Sequence, residues 1–124
     1  MNMNETKLGA IESRFADMIW ANVPVATTEL VKLAQAELNW KRTTTYTVLK
    51  RLCERGLFEN QNGTIIALVS RKEFYARQSE QFVDESFAGS LPAFVAAFTS
   101  RKKISEAELN ELQAMIEQMR RGNA

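Results

Sequence analysis

Between Lys41 and Val69 the spacing of the apolar residues changes once, and that change restricts the fold more than any other feature of the chain. Thr45, Val48, Leu49 and Leu52 stand at i, i+3, i+4 and i+7, which is one stripe of a helix. Gly56 follows where such a helix ends, because a left-handed terminal residue costs glycine no steric strain. The helical period then stops. Leu57-Phe58-Glu59 reads as a short strand, and Thr64-Ile65-Ile66-Ala67-Leu68-Val69 reads as its return. Between them Gln61-Asn62-Gly63 holds the Asn-Gly pair that a tight hairpin turn favours. A helix that runs straight into a hairpin must find other elements to cover its apolar stripe.

Those elements come before it. Leu8, Ile11, Phe15, Met18 and Ile19 recur at helical spacing and predict a first helix over 8–21. Asn22-Val23-Pro24 ends it, since proline cannot continue the hydrogen-bond ladder. Val25-Ala26 leads to Thr27 and Thr28, two candidate N-caps, and Leu30, Val31, Ala34 and Leu38 mark a second helix over 28–38. With a third helix over 43–55, three helices and a hairpin give the order of a winged helix-turn-helix.

The remainder reads as helical. Phe74, Gln78, Phe82 and Ser86 lie four apart over 71–87, and Gly89-Ser90 breaks that helix. A short apolar helix over 91–99 carries Leu91, Phe94, Val95 and Phe98, with Pro92 in its first turn. Ser105 and Glu108 form a capping box. Leu109, Leu112, Ile116 and Met119 follow at spacings of three, four and three, which is a heptad seam. The expected fold is therefore mainly α with a small β-hairpin: a winged helix-turn-helix domain over 1–71 and a C-terminal helical dimerisation region over 72–124. So many apolar lines on short helices exceed what a small appendage buries by itself, so a second copy is expected to cover them. Phe82, Phe94, Phe98, Leu109, Leu112 and Ile116 are the expected dimer contacts.

Composition closes off several chemistries. The chain has no histidine and one cysteine, Cys53. Ser-His-Asp and Cys-His pairs, a Cys/His zinc site and an intrachain disulfide are all excluded. Cys53 reads as a small buried hydrophobe rather than a redox sensor. Carboxylates are plentiful but none is paired in an apolar setting, and no glycine loop would cradle a phosphate, so neither an enzyme nor a cofactor is expected. No run of apolar residues is long enough to span a membrane. The polar start Met1–Lys7 lacks the apolar core of a secretory signal, and a cytoplasmic protein is expected.

Charge points to the partner. Residues 1–72 hold ten Lys/Arg against seven Asp/Glu, and residues 73–124 hold six against eight. Lys41, Arg42, Lys50 and Arg51 crowd one short stretch without an acidic residue. A recognition helix needs an apolar face to seat it and an opposite face of hydrogen-bonding groups to enter the major groove. The polar face of the third helix supplies them: Arg42, Thr43, Thr44, Tyr46 and Thr47 as candidate base readers, with Lys41, Lys50 and Arg51 on phosphates. Asn62, Gly63 and Thr64 form an uncharged wing tip, able to give only hydrogen bonds. The expected function is a sequence-specific DNA-binding transcriptional repressor that acts as a homodimer on a two-fold operator. The alternative is a winged-helix protein-interaction adaptor that does not bind DNA. Binding to random duplex DNA with a steep salt dependence separates the two.

Further motifs resemble the penicillinase-repressor family (BlaI/MecI type), from about Leu8 to Met119. Met18-Ile19-Trp20 matches its early helix ending in tryptophan. Trp40, Thr44, Thr47, Leu49, Arg51 and Leu52 match its Trp-x-x-x-Thr-x-x-Thr-x-Leu-x-Arg-Leu segment, and Gly56-Leu57 the Gly-Leu after it. Phe87-Ala88-Gly89-Ser90, Phe94-Val95-Ala96-Ala97-Phe98 and Ile104-Ser105-Glu106-Ala107-Glu108-Leu109-Asn110-Glu111-Leu112 match its C-terminal half. The resemblance implies a homodimeric repressor released from DNA when a membrane-bound sensor protease, or a protease it activates, cuts the short apolar helix between asparagine and phenylalanine. The matching pair here, Ala97-Phe98, keeps the phenylalanine and replaces the asparagine. The copper-responsive branch of the family carries a C-terminal cysteine cluster; Met119–Ala124 has none, so copper sensing by that route is not expected.

Overall fold

The computed structural model describes residues 8–122; the polar start Met1–Lys7 and the last two residues lie outside the described residues. The described chain contains α1 (Ala10–Asn22), β1 (Val25–Ala26), α2 (Thr27–Leu38), α3 (Arg42–Glu54), β2 (Phe58–Gln61), β3 (Thr64–Ala67), α4 (Arg71–Phe87), α5 (Leu91–Arg101) and α6 (Glu106–Gly122). The expected three helices and hairpin are present in order.

The sheet has one more strand than the hairpin alone. β3 is central, in the order β1-β3-β2, and both pairings are antiparallel. Val25 lies opposite Ile65 and Ala26 opposite Thr64. β2 pairs from Phe58 opposite Ala67 to Gln61 opposite Thr64. The stretch Val25-Ala26 was expected only as a lead into α2. Two residues are too few to show a period of two, and this strand exists because β3 offers it an edge.

Thr27 also departs from its expected capping role. Ala26 takes the N-cap position of α2, with no side-chain cap, while Thr27 is buried. The Thr27 N–H donates instead to the Gly63 carbonyl at 2.9 Å. Ile11 departs as well: it is 48% exposed, and Ala16 takes the inward position beside Phe15 and Ile19.

One core binds these elements. Phe15 and Ile19 from α1, Leu30 and Ala34 from α2, Val48, Leu49 and Leu52 from α3, and Phe58 and Ile65 from the sheet are all buried. Trp40, in the turn before α3, lies against Phe15 with ring centroids 5.0 Å apart. The Trp20 indole N–H donates to the Val69 carbonyl at 2.9 Å, and its ring sits 5.1 Å from Phe58 and 5.6 Å from Phe74. At the start of α4 the Asp17 carboxylate accepts from the Arg71 guanidinium at 2.9 Å and from the Tyr75 hydroxyl at 3.2 Å. That hydrogen bond and the opposite charge raise the Arg71 pKa, while burial, followed by Asp17, raises that of Tyr75.

These ties hold the first part of α4 to the preceding elements. The chain accordingly splits into two compact units at Gln81/Phe82, inside α4. The boundary expected between 71 and 72 marks the first residue of that helix instead.

The second unit has a different character. Ala88 and Gly89 take positive φ and end α4, and the Ser90 hydroxyl caps α5 by accepting from the Ala93 N–H at 3.1 Å. The Ser105 hydroxyl accepts from the Glu108 N–H at 3.2 Å, the expected cap of α6. Phe82, Phe87, Phe94 and Phe98 form a chain of ring contacts between 5.6 and 6.2 Å. Yet among the described residues from Phe82 onward none is buried.

Candidate nucleic-acid interface

α3 is seated by its apolar stripe and by the turn before it. Asn39 closes α2 in the left-handed region, φ 56°, which asparagine tolerates better than most residues. The N–H groups of Asn39 and Trp40 donate back to the Gln35 and Ala34 carbonyls at 3.1 and 3.3 Å. α3 then begins at Arg42, with Lys41 at its N-cap position making no side-chain cap. Thr45, Val48, Leu49 and Leu52 are buried as the spacing predicted.

The opposite face is open. Lys41, Arg42, Thr43, Thr44, Thr47, Lys50 and Arg51 are exposed, and Tyr46 is half-buried against the core. The three consecutive threonines divide. Thr45 points inward, fully buried, and its hydroxyl donates to the Lys41 carbonyl at 3.2 Å. Thr43 lends its carbonyl to the Thr47 hydroxyl at 2.8 Å, so Thr47 offers outward its lone pairs and its methyl group. Thr44 lies outward with no side-chain hydrogen bond among the described residues. The Arg42 guanidinium stands 5.6 Å from the centre of the Tyr46 ring, one turn on.

One acidic side chain pairs with a cation of this surface. Glu12 of α1 pairs with Arg51 at 3.4 Å, with Arg51 half exposed. Sequence reading missed Glu12 because it lies 39 residues away and is brought in only by the packing of α1 on α3. The pairing tethers Arg51 and leaves Lys41, Arg42 and Lys50 as the cations of the face without an acidic partner among the described residues.

The wing is a tight hairpin. Asn62 and Gly63 both have positive φ, 55° and 93°, the pattern of a type I′ turn. The Asn60 carboxamide oxygen accepts from the Gly63 N–H at 2.7 Å. The Gly63 carbonyl accepts from Thr27 at the start of α2, so the wing tip is fixed to the helix before α3. Asn62 and Thr64 are exposed, and Glu59 is held by the Gln61 amide at 3.0 Å. Cys53 is partly buried at the end of α3; burial first, then Glu54 and Glu59, raises its thiol pKa.

A seated helix with an open hydroxyl- and cation-bearing face, a short turn before it and a hairpin after it define a winged helix-turn-helix protein. The sequence comparisons agree and are more specific. The model of the penicillinase repressor family matches residues 8–118, and the chain belongs to that family. A penicillinase repressor of Bacillus licheniformis is 25% identical over 105 residues, covering 82% of each protein. The family is one of transcriptional repressors.

Proposed function

We propose that this protein binds a two-fold DNA operator as a homodimer and represses transcription from it in the cytoplasm. The observation that carries this reading is the division of α3 into one fully buried face and one open face bearing Arg42, Thr43, Thr44, Thr47 and Lys50. The N-terminal end of a helix of this kind reads base edges, while flanking cations and a wing hold phosphates. Thr44, Thr43 and Arg42 sit in that first turn, with Thr47 and Tyr46 one turn further on. Lys41, Lys50 and, once released from Glu12, Arg51 contact phosphate. Asn62, Gly63 and Thr64 contribute uncharged hydrogen bonds to the backbone of the duplex.

Selection of bound fragments from a random duplex pool, followed by titration at several salt concentrations, tests it. A two-fold sequence with half-sites about one helical turn apart is expected. Lys50→Ala should weaken operator and random DNA alike and reduce the salt slope by about one unit. A protein that enriches no sequence and does not bind random duplex at low salt would be an adaptor instead.

The means of release belongs to the same reading. Ala97 and Phe98 are exposed on α5, and among the described residues no helix is long and apolar enough to cross a membrane. A membrane-bound sensor protease acting on this pair would meet it on the exposed surface of α5. Ala97→Asn, which recreates the family's cut site, should speed cleavage by such a protease; equal rates would remove the pair from the mechanism.

A further inference from the structure

The open face of α6 has one charge-matched way to meet a second copy of itself. With Leu109 and Ile116 as a residues and Leu112 and Met119 as d residues, Glu106, Gln113 and Arg120 take the flanking e positions, and Glu108 and Met115 take g. All four seam residues are between 42% and 51% exposed. The g side of α6 borders a groove within the protomer, with Met115 still 56% exposed. Glu108, Glu111, Leu112 and Met115 line a groove of about 310 Å³ shared with Phe94 and Phe98 of α5. At 3.6 residues per turn the e positions lie across the seam from that groove, on the side open to another molecule. Glu106 and Arg120 are both exposed there, with no side-chain partner among the described residues.

The two possible orientations differ in what they bring together. In a parallel pair, e residues face g residues: Arg120 meets Met115 and Gln113 meets Glu108, and no opposite charges meet. In an antiparallel pair, a layers alternate with d layers and e faces e. Leu109 then packs on Met119, Leu112 packs on Ile116, Gln113 meets its own copy at the centre, and Glu106 meets Arg120 at both ends. The acidic start and basic end of the helix, Glu106 and Glu108 against Arg120 and Arg121, are thereby matched twice, as are the opposed helix dipoles.

We propose that α6 pairs antiparallel with α6 of a second copy about a two-fold axis near Gln113, with Glu106 of each chain against Arg120 of the other. This rests on the homodimer reading above, and the test separates the two.

Single cysteines are introduced into full-length Cys53→Ala protein, and the mass in solution is measured by light scattering before oxidation. Gln113→Cys should close a disulfide with its own copy. Met119→Cys should not, because the two copies of that residue stand about 15 Å apart along the axis, at 1.5 Å per residue, well beyond the Cα span of about 7 Å that a disulfide bridges. An equal mixture of Leu109→Cys and Met119→Cys proteins should yield the mixed disulfide. Glu106→Arg and Arg120→Glu should each weaken the dimer by about tenfold, and the double exchange should restore it to within about threefold. A Met119→Cys protein that links to itself, or a dimeric Gln113→Cys protein that does not, overturns the antiparallel pairing while leaving the dimer intact. A monomer at every concentration overturns the dimer reading, and the pairing with it.

Discussion

Thr44, Thr45 and Thr47 of α3 share a side chain and differ in what the fold does with it. Thr45 spends its hydroxyl in the core, Thr47 donates to the helix's own Thr43 carbonyl, and Thr44 keeps donor and acceptor outward. Thr44, like the exposed Thr43 beside it, can offer a base edge both halves of its hydroxyl without first breaking a bond. Thr44→Ala is therefore expected to cost about 1–3 kcal/mol on the selected operator and little on random duplex. Fluorescence titration on both sequences checks this, and equal losses would remove Thr44 from base reading. Cys53 makes a contrasting case. Burial and two nearby carboxylates hold its thiol protonated beyond the ordinary range, and the thiolate is the reactive form. Alkylation at pH 8 should be several-fold slower in the folded protein than in urea; equal rates would contradict the burial.

At the scale of elements, the wing shows how a local signal is made permanent by a distant contact. Asn62-Gly63 alone specifies a tight turn, but the turn is fixed in place by the bond from Thr27 to the Gly63 carbonyl and by the pairing of β1 with β3. A side chain added at Gly63 meets no neighbouring atom, so the cost of substitution lies in the backbone at φ 93°. Gly63→Ala should destabilise the protein by about 1 kcal/mol, seen as a lower urea midpoint with an unchanged slope. An unchanged midpoint would show that the turn carries no such strain.

At the scale of the molecule, the two units are stabilised in different ways. The first encloses a core in which Phe15, Ile19, Leu30, Leu52, Phe58 and Ile65 are almost fully buried. The second buries nothing among its described residues and exposes Leu91, Val95, Phe98 and the α6 seam. Leaving that much apolar surface in water is unfavourable in proportion to its area, and association with a second copy would remove it. Asp introduced together at Leu112 and Ile116 should give monomers by light scattering, with operator affinity falling at least about tenfold. Both tryptophans, Trp20 and Trp40, pack in the first unit, so their emission should be unchanged. A variant that stays dimeric would show that the seam is not the interface.

Much of this was legible in the residues alone. The stripe 45-48-49-52, the Gly56 stop, the Asn-Gly turn and the α6 cap are local features, set by periods and backbone preferences that act within a few residues. The exposed face of α3 follows directly, because whatever does not belong to the buried stripe of a helix must lie opposite it. What the sequence could not determine depends on contacts between distant segments. β1 has no period of its own, Thr27 is buried where its N–H bonds to Gly63 of the distant turn, and Glu12 reaches Arg51 only after α1 has packed on α3. Spacing along a chain reports which side of an element is apolar; which elements then meet, and which charges are neutralised where they do, is decided by tertiary packing.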